Sequence, residues 1–165
     1  MIHLLLFAIS LSFGQPVFYQ IKPEKNFDFI DDFEKSKDTF KSEEFDLEGH
    51  STEGGQVTVY RNAEKSYRVV DIWIFGEMGK VHASYWTDSN SKFIIVRWTD
   101  FEYDKPMYEK DFKTKETTHY LSYVADKVRV YDTKRKELGN SLAIEKKKDY
   151  EEFFQEMTRG VKIVK

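Results

Sequence analysis

Residues 66–75 read SYRVVDIWIF, and this stretch decides the fold. Its β-branched and aromatic side chains suit an extended chain, in which successive residues face opposite sides. Val70, Ile72 and Ile74 fall on one side, and Tyr67, Val69 and Trp73 on the other. A strand that is apolar on both sides belongs inside a sheet with two faces to cover.

The neighbouring sequence repeats the pattern. QVTVYR (56–61), KVHASYWTD (80–88), SKFIIVRWTDF (91–101), THYLSYVAD (118–126) and KVRVYDT (127–133) are strand-like, and the turn clusters NAEK, GEMGK and DSNS punctuate the series. Such short connections leave no room for crossover helices, so the expectation is an antiparallel meander of about six strands over residues 56–133. The longest connection, EYDKPMYEKDFKTKE, contains Pro106 and is expected to leave the sheet as an excursion. SYWTDSNSKFIIV (84–96) and SYVADKVRV (122–130) share a Ser-Tyr, turn, Lys, strand order. Two copies are too few for a solenoid and fit repeated hairpins.

Helices are expected at both ends of the chain. Phe29, Ile30, Phe33 and Phe40 recur at near-helical spacing behind Asp28 as N-cap, which predicts a helix at about 29–43. Tyr150, Phe153, Phe154, Met157 and Val161 form an i, i+3, i+4, i+7, i+11 stripe before Gly160, which predicts a second at about 146–159. The three lysines at 146–148 conflict with that starting point, because a helix N-terminus disfavours positive charge. The resulting class is α+β, with both helices packed on the sheet.

Composition narrows the function. The chain has 165 residues, 40% hydrophobic, enough for one core and one domain at 15–165. Twenty-six basic residues spread among 29 acidic ones give a net charge of -3, which argues against a nucleic-acid protein, a class that normally shows a basic face and a high pI. The opening MIHLLLFAISLSFGQ carries an apolar run, then Ser12 and Gly14 at -3 and -1 of a cut before Gln15. Residues 1–14 therefore read as a signal peptide, and the expected location is periplasmic or secreted. The run is too short for a transmembrane span, which needs about 20 apolar residues.

Chemistry-bearing motifs are sparse. GHSTEGGQVTVY (49–60) places His50, Ser51 and Glu53 before a strand. Triad groups normally converge from separate segments, so a turn that starts the sheet is the stronger reading. GEMGK lacks the full phosphate-loop spacing and reads as a hairpin turn. His82 and His119 lie on strands where they could face each other, but the four histidines and absent cysteines suggest no metal site, and no cofactor motif occurs. The aromatic strands carry the functional promise. Trp73, Trp86, Trp98, Tyr85 and Tyr123 are candidate ligand contacts if part of either face stays open.

STEGGQVTVY (51–60), IFGEMGKVHASYW (74–86), YDKPMYE (103–109) and KVRVYD (127–132) together resemble small, exported, uncharacterised β-rich proteins of Gram-negative bacteria. The resemblance spans about residues 45–136. It implies export, an STEGG-type turn and a tyrosine-rich meander, and carries no activity; the Tyr-Tyr positions of such proteins read SYW and LSYV in this chain. The functional expectation is a non-enzymatic binding protein of the cell envelope, partnered by a protein, peptide or glycan. The alternative is a carbohydrate-binding module using exposed Trp and Tyr, with a hydrolase third.

Overall fold

Seven strands follow one another in a single antiparallel sheet whose spatial order is the order in sequence. They are β1 (Lys41–Leu47), β2 (Gly55–Arg61), β3 (Tyr67–Gly76), β4 (Gly79–Asp88), β5 (Phe93–Tyr103), β6 (Thr114–Val124) and β7 (Lys127–Tyr131), flanked by helices α1 (Phe27–Ser36) and α2 (Asn140–Met157). The computed structural model describes residues 23–125 and 127–161. The expected signal peptide and its expected cut before Gln15 lie outside the described residues. No helix among the described residues is long and apolar enough to cross a membrane.

The expected α+β architecture is present, with three corrections to its boundaries. The sheet has seven strands rather than about six and begins at Lys41, well before residue 56. The first helix ends at Ser36, and the 3-10 turn Lys37–Thr39 leads into β1, so residues 41–43 are strand. Asn26, rather than Asp28, precedes its first residue. The last helix starts at Asn140 rather than 146. That earlier start puts Lys147 and Lys148 in mid-helix, where Glu151 and Glu152 lie four residues on as ion-pair partners, and it removes the conflict with the helix dipole.

Helix α2 covers one sheet face. Val57, Val59, Val70, Ile72, Tyr85, Val96, Leu121 and Val130 are buried there with Ala143, Tyr150 and Met157 of the helix. Trp98 stacks on Tyr150 at 4.4 Å and 4°, and the Tyr85 hydroxyl donates to the Tyr150 carbonyl at 2.8 Å. Phe153 meets Trp98, and Phe154 meets Tyr85 and Phe93.

Helix α1 lies on the opposite face and runs across the strands. Phe27 meets Tyr120 and Tyr131 of β6 and β7, while Phe33 meets Tyr60 and Trp86 of β2 and β4. Buried Asn26 fixes its start, its amide donating to the Ile94 and Tyr123 carbonyls and to Ser122 Oγ. In mid-helix Asp32 accepts from Lys65 and from the Tyr67 hydroxyl. A helix is about 10 Å wide, whereas a ten-residue strand such as β3 is about 33 Å long. A helix laid across the strands therefore covers only one belt of this face.

Removal of the Tyr150 ring should cost about 3–5 kcal/mol, because it empties the contact beneath Trp98. Exposed Ile144 on the same helix provides the control. Urea melts of Tyr150→Ala and Ile144→Ala check this, with Ile144→Ala expected within about 0.5 kcal/mol of wild type.

Candidate functional site

Register divides the α1-side face into rows that cross the sheet. One row, through Tyr60, Val69, Trp86 and Ile95, lies under α1. The next runs through Thr58, Asp71, Ser84 and Arg97, and the Arg97 guanidinium reaches back to Glu34 of α1 at 2.8 Å. The third runs through Gln56, Trp73, His82 and Thr99, and the fourth through Phe75, Lys80 and Phe101. From Val69 to Phe75 is six residues, so the fourth row lies about 20 Å along the strand from the row that α1 covers.

A buried polar cluster joins the second and third rows. His82 Nε2 lies 2.8 Å from Asp71 Oδ1, and Ser84 donates to the same oxygen at 2.5 Å. The His82 and Asp71 side chains are only 16% and 11% exposed although α1 does not reach them. The Trp73 indole accounts for this: it stacks on the imidazole at 3.8 Å and 8°. Burial pushes the Asp71 carboxyl up, yet the His82 contact, the Ser84 hydroxyl and the Arg97 charge together hold it below the ordinary carboxylate value of 3.8.

Asp, His and Ser in contact suggest a hydrolytic triad, but this geometry cannot run one. A relay needs the acid on one ring nitrogen and the nucleophile on the other. Here both Asp71 and Ser84 lie at Nε2, and Ser84 is fully buried with its proton on Asp71. The cluster satisfies its own polar groups and supports Trp73. Among the described residues no group of three or more His, Asp or Glu could hold a metal ion.

Above the cluster, aromatic rings lie side by side. Phe75 and Phe101 each lie 6.1 Å from Trp73, at 8° and 23° to its plane. The Lys80 ammonium sits 4.9 Å from the Trp73 centroid and 4.8 Å from that of Phe101. The sheet end beyond them carries exposed apolar side chains as well. Of the six exposed large hydrophobic residues described, five are Phe75, Met78, Met107, Tyr108 and Phe112, with Met78 51% and Tyr108 75% exposed. They form one surface because the long β5–β6 connection folds back on the β3–β4 turn. Tyr103 N donates to Met78 O and Met107 N to Glu77 O, each at 2.9 Å, and Phe112 packs on Tyr103.

The residues singled out in the sequence separate accordingly. Trp73 lies in the open rows. Trp86 and Tyr85 are 0% exposed core residues on opposite faces, so they cannot be surface contacts. Trp98 and Tyr123 pack on the α2 side, Trp98 against Tyr150 and Tyr123 against Phe93. His82 and His119 do not face each other: His82 pairs with Trp73 on the open face, whereas His119 opposes Trp98 on the α2 face.

In the opening loop, the Ser51 hydroxyl lies 2.6 Å from the Phe75 carbonyl and 2.8 Å from that of Gly54. His50 lies 3.9 Å from Glu156 at the end of α2, and Glu53 is exposed. Gly54 has φ of +75°, and a Cβ on Gly55 would sit 2.6 Å from the Trp73 carbonyl oxygen. These contacts serve a turn. Phe75, Lys80, Phe101 and the Met78–Met107 end were not foreseen as site residues, because strand register and loop packing, rather than residue type, bring them together.

Comparison with known proteins returns no match: no family model, no curated protein and no solved structure is found for the chain.

The Asp71 contacts set an acid limit. With its folded value below its ordinary value, the unfolded chain takes up the proton first as pH falls. The stability from Asp71 is thus present above about pH 4 and lost as pH drops through the lowered folded value. Asp71→Asn should be less stable than wild type at neutral pH and show a shallower loss below about pH 4. Chemical melts across that range check the sign.

Proposed function

We propose that this protein is a non-enzymatic binding protein of the cell envelope whose partner surface is the uncovered part of the α1-side face and the sheet end adjoining it. The carrying observation is the placement, at one end, of five of the six exposed large hydrophobics among the described residues. Soluble proteins scatter such residues, and a contiguous cluster marks a contact surface. Methionine suits such a surface because its flexible thioether adapts to a partner's shape. The proposed location rests on the apolar leader with Ser12 and Gly14 before Gln15, and on the resemblance to small exported Gram-negative proteins.

The stacked row favours a second reading, a carbohydrate-binding module. Flat rings at shallow angles offer apolar surface suited to the C–H face of a sugar, and Gln56 lies on the same face to supply a polar contact.

Comparative capture from envelope extract tests the main reading. Wild type should retain a defined partner, Met78→Glu with Met107→Glu should lose it, and Lys148→Glu on α2 should not. Equal capture by all three, with unchanged thermal melts, would place the partner surface elsewhere. Intact-mass measurement of the native protein should show Gln15 as its first residue.

A further inference from the structure

We infer that the open ring row takes an acidic saccharide, with the sugar body on Trp73 and Phe101 and its carboxylate on Lys80; this rests on the carbohydrate reading above. Lys80 sits between Phe75 and Phe101 in register, and its ammonium lies within 5 Å of both the Trp73 and Phe101 centroids. Among the described residues no carboxylate lies within ion-pair distance of it. The acidic groups nearby are engaged or remote. Asp71 is bonded to His82 and Ser84, Glu102 pairs with Lys115, and Asp100 lies on the opposite face and accepts from Trp98. Glu116, the end residue of the same row, is on β6, two strands from β4.

An ammonium has three donors and no acceptor. Ring faces attract the charge but do not replace oxygen acceptors, so the position favours an incoming anion. A free anion would use the lysine alone. A uronic acid uses the lysine and the rings together, because its carboxylate is attached directly to an apolar-faced ring. The row therefore selects a carboxylated sugar over its uncharged counterpart.

Short galacturonate oligomers and their methyl esters separate charge from shape, since the ester keeps the sugar and removes the anion. Titration calorimetry should show the acid binding about tenfold more tightly than the ester, the worth of one charge-assisted contact. Lys80→Gln should bring the acid down to the ester's affinity and leave the ester within about twofold. Phe101→Ala should weaken both, with thermal melts confirming the fold of each variant. Equal binding of acid and ester, or an unchanged acid affinity in Lys80→Gln, would overturn the inference while leaving the carbohydrate reading intact. Binding of neither sugar would overturn both. A polyglutamate peptide that binds as tightly as the acidic sugar, with the same Lys80 dependence, would assign the row to peptide carboxylates and overturn it too.

Discussion

Strand β3 is apolar on both sides, and the rest of the molecule answers to that. Val70 and Ile72 require one cover and Tyr67 and Val69 another, so the sheet needs a helix on each face. The hydrophobic gain of burying such side chains, about 1.5–3 kcal/mol each, rewards any element that supplies an apolar stripe. α2 supplies Tyr150, Phe153, Phe154 and Met157, and α1 supplies Phe27, Ile30 and Phe33. Each helix is held by polar contacts as well: the Tyr85 hydroxyl on the α2 backbone, and the Asn26 amide on β5 and β6.

The two covers are unequal. α2 has 18 residues and α1 has ten, and α1 lies across the strands. Beyond the belt it shields, the sheet supplies its own cover. Arg97 bridges from Ser84 to Glu34, Trp73 closes over His82 and Asp71, and Thr99 and Thr118 bond each other. The same arrangement that lets a buried carboxylate persist without a helix thus creates a row of rings at the surface. Core chemistry and candidate binding surface are continuous there, which explains why polar and aromatic residues share the rows.

The sequence makes the central architecture legible because strands β2 to β7 alternate and their turns carry Gly, Asn, Asp and Ser. Strand β1 escapes that reading for a physical reason. KSEEFDL at the sheet edge is mostly solvent-exposed, so it carries charges, lacks β-branched residues and is held chiefly by backbone pairing to β2. The start of α2 is hidden similarly, since its first turns carry few of the large residues that define the stripe. Among site residues, Trp73 could be found from alternation alone. The burial of Trp86 could not, because its cover comes from Phe33, more than fifty positions away. Lys80 gives no local signal at all; its setting depends on the registers of β3 and β5.

Hydroxyl-radical footprinting of the full chain tests most directly the claim that α1 leaves the ring row and its adjoining end uncovered. It needs no substitution and reports side-chain accessibility by mass spectrometry. Met78, Met107 and Tyr108 should oxidise rapidly and Trp73 measurably, while Trp86 and Phe33 remain protected until the protein unfolds. Protection of Met78, Met107 and Trp73 equal to that of Trp86 in the isolated monomer would contradict the account, because something in the chain itself would then cover the surface assigned to a partner.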